Sequence, residues 1–356
     1  MKRILFLALI FVWATSSAQI VYHDAREFPI YGKAVLETSG DYERLPVALE
    51  KVSRQPLWYL GRQSAGLALR FKSNSSSISA RWTSTFQVEM NHMCPTGIRG
   101  LDLYAWVDGG WRFVNSGRPD LHHKESSATI IANMEPTERE YMLYLSLYDG
   151  VERLEIGVDS LSTISTPMVN APQRDHPVVF YGTSILQGGC VTRPGMAHTN
   201  IISRRLNREV INLGFSGNGR LDLEIAHLMA EVNAGVFVLD CAPNVSNEDI
   251  RTKLEPFFRI LRERHPLTPV VFVEDPHFAH ARFDKRIAQE VKERNEAMKE
   301  MFHKFKREGA KNIYYVSSED MLGDDGEATV DGIHFTDLGM MRYADLLTPV
   351  LRKLLP

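Results

Sequence analysis

What most constrains this chain is a change of pattern at Pro177. Beyond it, apolar runs at 178–181, 236–239, 270–273 and 313–316, and one at 210–213 broken only by Asn212, alternate with stretches of helical periodicity, near 201–206, 221–232 and 248–263 among others. A strand with one wet face alternates apolar and polar residues, whereas one that is apolar throughout is covered on both faces. Helices lying between such strands supply the cover. Their spacing, about 30 residues per unit, suits right-handed βαβ crossovers. The pattern predicts an α/β layer built on a five-stranded parallel sheet.

Residues 19–170 follow a different rule. The runs 67–71, 77–82, 103–107 and 141–147 alternate with period two and are separated by Ser, Asn, Asp and Gly clusters. Many short strands with polar turns predict an antiparallel sandwich or jelly roll. Pro167, Pro172 and Pro177 mark a linker, drawn at 171–177, with the α/β part occupying 178–356. Two parts agree with the soft prior that 356 residues sets.

The first eighteen residues are expected to be a signal peptide: Lys2-Arg3, an apolar stretch from Ile4 to Trp13, then Ser16-Ser17-Ala18. The apolar stretch is too short to span a bilayer. The expectation is therefore a secreted or periplasmic protein without a membrane anchor. A net charge of −3 gives no footprint for nucleic acid. Cys94, Cys190 and Cys241 cannot make a disulfide framework; they read as packing thiols or as one bridge involving Cys94.

Open parallel sheets carry their chemistry past the carboxyl ends of the strands. There the sequence places Gly182-Thr183-Ser184-Ile185, Gly214-Phe215-Ser216-Gly217, Asp240-Cys241-Ala242-Pro243-Asn244 and, across a loop, Asp331-Gly332-Ile333-His334. Taken singly, Ser184 reads as a helix cap, Gly217 as a turn glycine, Asn244 as a cap or Asx-turn, and Asp331 with His334 as a loop pair. Taken together they are a hydroxyl nucleophile, a backbone N–H, an amide donor and an acid–histidine pair, the parts of an acyl-transfer site. Thr336 reads as the cap of a terminal helix just past His334.

In these blocks the chain resembles the SGNH, or GDSL-type, hydrolases, over about 180 residues. The resemblance implies a flavodoxin-like hydrolase domain, Ser184 as nucleophile, and His334 as general base oriented by Asp331. It also implies an oxyanion hole of the Ser184 and Gly217 N–H groups with the Asn244 amide. Two blocks depart from the family: GTSI stands for GDSL, and APNV for G-x-N-D. Upstream, Gly100-Leu101-Asp102-Leu103-Tyr104 is similar to a Gly-x-Asp-Leu-Tyr signature of a bacterial subset that carries an N-terminal β domain.

The expected function is a serine esterase removing short acyl groups, most simply acetyl, from carbohydrate or a small ester, without cofactor or metal. A lipid acylhydrolase and an inert carbohydrate-binding protein are the alternatives. The sequence leaves open the glycan, the hydroxyl acylated, the oligomeric state and the role of the β domain. His277 is the reserve base, and His277 with His280 lacks a third ligand at metal spacing. Trp58, Trp82, Trp106 and Trp111 read first as core and second as sugar-stacking residues.

Overall fold

The computed structural model describes residues 19–356. The expected signal peptide, 1–18, lies outside the described residues.

The apolar runs form one parallel sheet, in the order Arg208–Gly214, Gln173–Gly182, Val236–Asp240, Val270–Val273, Ile313–Val316. Numbered along the chain this is 2-1-3-4-5, the flavodoxin-like order, whose switch point falls beside the first strand. Helices His198–Leu206 and Asp337–Leu354 pack together, as do Leu223–Ala230, Asn247–Arg264 and Lys285–Arg307 in series. Two apolar clusters result: one includes Val179, Tyr181, Phe237 and Phe272, the other Val178, Phe180, Val238 and Val271. Alternate residues of each strand thus enter opposite clusters, which is why the strands read as apolar throughout.

The first strand begins at Gln173, inside the segment expected to be linker. Gln173 pairs with Arg208, and the register then shifts before Val178, where His176 adopts a positive φ of 51°. Exposed polar residues at 173–176 hide this extension from a hydropathy reading.

Upstream, antiparallel sheets of four and six strands enclose a core that includes Phe71, Trp82, Leu103, Tyr141 and Ile156. Setting aside the two-residue strands Ile30–Tyr31 and Ile164–Ser165, eight strands remain: Ile20–Asp24, Ala68–Ser73, Ile78–Ser84, Leu101–Val107, Gly110–Gly117, Glu125–Ile131, Arg139–Tyr144 and Val151–Asp159. Taken in chain order they lie 1-8-3-6 in one sheet and 2-7-4-5 in the other. That is a long antiparallel ribbon rolled upon itself, the jelly roll. Trp82 and Trp111 are buried, and the Trp82 indole donates to Arg99 O at 2.9 Å, so these two serve the core.

The two parts share apolar core. Leu45, Leu57 and Leu60 belong to one α/β cluster, and Ala65, Met93, Ile98, Leu147 and Tyr148 to the other. Among the described residues, no helix is long and apolar enough to cross a membrane.

Candidate active site

The sheet's switch point brings the four blocks to one end. Strand Gln173–Gly182 runs into helix Ser184–Gln187, whose N-cap is Thr183, with its hydroxyl accepting from Ile185 N–H at 3.3 Å. The cap therefore falls to Thr183, where the family has Asp, and the Ser184 hydroxyl stays free of that role. Ser184 O accepts from the Tyr148 hydroxyl at 3.0 Å and from Gly189 N–H at 2.9 Å, fixing the turn.

His334 approaches from the loop after the last strand, with Nε2 3.0 Å from Ser184 Oγ. Its Nδ1 lies 2.7 Å from Asp331 Oδ2, while Asp331 Oδ1 accepts from the N–H groups of Ile333 and His334 at 3.0 and 2.7 Å. Burial raises the Asp331 carboxyl, but the His334 ring and these two N–H groups outweigh it and hold the group at about 2. An ionised Asp331 keeps the proton on Nδ1 and leaves Nε2 as acceptor for the Ser184 hydroxyl. Thr336 caps Asp337–Leu354, its hydroxyl accepting from Gly339 N–H, and so anchors this loop to a long helix.

Gly217 sits in a turn at φ +66°, which favours glycine, with open space where a side chain would be. Neither its N–H nor that of Ser184 is taken by a turn or cap hydrogen bond. Ser216 N–H, its neighbour, donates instead to Gln187 Oε1 at 2.9 Å. Asn244 ends a 3-10 turn, Ala242–Asn244, and its Oδ1 accepts from Gly219 N–H at 3.2 Å. Gly219 lies against Gly182 O, which an added Cβ would meet at 2.3 Å. The chain of contacts sets Asn244 beside the Ser184 turn, and engaging Oδ1 leaves the amide NH₂ as the free donor. Buried Ala242 and Val245 hold the loop where the family uses Gly and Asp.

His277 is exposed and makes no hydrogen bond with Ser184; it lines a cavity of about 920 Å³ beyond Gly332, and His280 Nδ1 meets Gly332 O at 2.7 Å. Cys94, Cys190 and Cys241 are all free. Burial, with the Asp331 charge adding, pushes the Cys190 thiol up to about 12, and burial pushes Cys241 up as well. Neither has the depressed value a thiol nucleophile needs.

Some supports of the site carry no local sequence signal. Arg44, fully buried, donates to Asn212 O and Gly214 O at 3.1 and 2.8 Å, gripping the strand that leads to Gly217. Gln187 Nε2 donates to Gln63 Oε1 at 2.5 Å and to Leu147 O at 3.0 Å. The Gly-x-Asp-Leu-Tyr segment acts on the loop after Ser184: Asp102 Oδ2 accepts from Arg193 Nη1 and Gly195 N–H, both at 2.8 Å, and Tyr104 Oη lies 2.8 Å from Arg193.

Family and structural comparisons agree with this layout. Residues 175–352 match the model of the GDSL-like lipase/acylhydrolase family, and 20–164 that of the GxDLY N-terminus of SGNH-hydrolase-type esterases. A crystal structure described as a GDSL-like lipase from Bacteroides ovatus ATCC 8483 is 35% identical, with TM-score 0.90 over 94% of this chain and 98% of that one. The salicylyl-acyltransferase SsfX3 of a tetracycline biosynthetic pathway shares 17% identity, TM-score 0.74, over 93% and 95%. A family two carbohydrate esterase from Cellvibrio japonicus shares 12% identity, TM-score 0.60, over 95% and 98%. No curated protein matches the chain. With its α/β half matched by the family model and nearly its whole length shared with the Bacteroides protein, the chain belongs to the GDSL-like lipase/acylhydrolase family.

Proposed function

We propose that this protein is an exported serine esterase that removes short acyl groups, chiefly acetyl, from carbohydrate. The observation that carries the reading is the unbroken chain from Ser184 Oγ through His334 to Asp331, at 3.0 and 2.7 Å. Ser184 Oγ attacks the acyl carbonyl while His334 Nε2 takes the hydroxyl proton. The charge that builds on the carbonyl oxygen is met by the Ser184 and Gly217 N–H groups and the Asn244 amide. His334 then returns the proton to the leaving alcohol, and water attacks the acyl-Ser184 by the same route. Asp331 stays ionised and stabilises the imidazolium in both halves.

Two observations support a carbohydrate leaving group. Beside the His334 loop lies the open cavity of about 920 Å³, mixing polar groups such as Arg282, Glu319 and Asp325 with the exposed Phe283. Two carbohydrate esterases share the two-part fold, one of them solved with cellohexaose. The test is hydrolysis of p-nitrophenyl acetate followed by acetate release from a panel of acetylated glycans. Parent protein should turn over both, and Ser184→Ala and His334→Ala should each lose nearly all activity while melting normally, because nucleophile and base act as a unit. An inactive parent, or an active Ser184→Ala, rejects the reading.

A further inference from the structure

The acyl-transfer steps leave two metal-binding side chains beside His334 unused. We propose that His92, Cys190 and His334 form a site for a thiophilic divalent cation, Zn²⁺ foremost, which switches the esterase off by occupying the Nε2 lone pair of His334. One donor atom from each residue lies within 4.8 Å of the other two. The imidazoles of His92 and His334 are neighbours, with ring centres 5.6 Å apart and planes tilted by 54°. Cys190 is unbridged, and its N–H donates to Phe335 O at 2.8 Å, tying the thiol-bearing segment to the residue after His334.

The chemistry of this set is specific. Asp331 on Nδ1 directs Nε2 of His334 toward Ser184 Oγ and keeps its lone pair available, the carboxylate–histidine arrangement that orients metal-bound imidazoles. Two imidazole nitrogens and one sulfur, with water in the fourth position, make a tetrahedral zinc site. Zinc–ligand bonds place such donors roughly 3.3–3.6 Å apart, so small side-chain rotations close the site. His92 and His334 are only half-buried; His92 is held by a bond from its Nδ1 to the neighbouring Asn91 side chain at 3.1 Å, and the cation must displace the Ser184 hydroxyl from His334 Nε2. On binding, Cys190 gives up its thiol proton to solvent and the cation takes the lone pair that would accept the Ser184 proton. Hard cations, which prefer oxygen, have no ligand set here.

The inhibitory readout rests on the esterase reading; the binding readout does not. Buffered Zn²⁺ should inhibit p-nitrophenyl acetate hydrolysis by the parent, EDTA should restore it, and Mg²⁺ or Ca²⁺ should leave it unchanged. Cys190→Ser and His92→Asn should keep the uninhibited rate yet need at least about tenfold more Zn²⁺. Independently, Co²⁺ added to the parent should give thiolate-to-cobalt charge-transfer absorption that Cys190→Ser lacks. Equal Zn²⁺ sensitivity of all three proteins, or cobalt without thiolate absorption, overturns the site. A parent inactive toward every ester, but with the cobalt band present, rejects the esterase reading and retains the site.

Discussion

Among the proposed oxyanion donors Asn244 holds the least interchangeable position, because backbone N–H groups cannot be deleted and a side-chain amide can. Its Oδ1 is committed to Gly219 N–H, so only Nδ2 is available to a developing oxyanion. Asn244→Ala should lower kcat by roughly 10²–10³ with little change in KM, the signature of an interaction made in the transition state. Asn244→Asp retains the acceptor for Gly219 but presents a carboxylate to the oxyanion, so its kcat should fall at least as far. Steady-state kinetics checks both; a wild-type kcat in Asn244→Asp, with early melting of Asn244→Ala, would make the residue a structural cap. Asp331→Asn is a different kind of change. The amide oxygen keeps the two backbone N–H bonds, but its NH₂ now faces Nδ1 and drives the proton to Nε2. Loss of kcat by about 10⁴, against about 10⁶ for Ser184→Ala, is expected from the wrong tautomer in an intact fold.

At the scale of elements, the strands hold charged groups whose burial has consequences. Asp240 ends the third sheet strand fully buried, and desolvation, with the nearby Asp275 charge, pushes its carboxyl up to about 7. A carboxyl raised in the folded state costs stability as pH climbs from its unfolded value, about 3.9, through 7. Asp240→Asn should therefore melt like the parent near pH 4 and gain on it progressively toward pH 8, as thermal melts across that range would show. The buried Asp102 carboxylate is paired with Arg193, and Asp102→Ala leaves that cation unmatched. A loss of about 3 kcal/mol in chemical denaturation, at the low end for a buried pair because Arg193 is partly exposed, is expected. The sheet strands were legible because both faces are buried, and the meeting of Ser184, His334 and Asp331 in a candidate site because topology gathers strand-end loops. Strand Glu125–Ile131 was not, since its outward polar residues leave it little apolar weight. Nor was the grip of Arg44 on Gly214, 170 residues away, which no local pattern announces.

Over the whole molecule, the jelly roll is a structural part of the site and not a module hung beside it. Arg44 and Gln63 reach the strand and helix that position Gly217 and Ser184, and Asp102 holds the loop that follows. Glu209 accepts from Gly32 N–H at 2.7 Å, and Arg54 pairs with Asp222 at 2.7 Å, so polar contacts rim the shared apolar core. Removing residues 19–170 would take Leu45, Leu57 and Leu60 from one cluster and five further apolar side chains from the other. Each large apolar residue lost from a core costs about 2–5 kcal/mol, and several together exceed the 5–15 kcal/mol that a domain has in total. A protein starting at Gln173 should therefore be unfolded or aggregated, with no activity even toward p-nitrophenyl acetate. The full chain should unfold in a single calorimetric transition whose van't Hoff and calorimetric enthalpies agree, because both apolar clusters of the hydrolase half are completed by side chains of the jelly-roll part. Two resolved transitions, or a soluble and active truncated protein, would show that the hydrolase half stands alone and that the contacts from Arg44, Gln63 and Asp102 only decorate it.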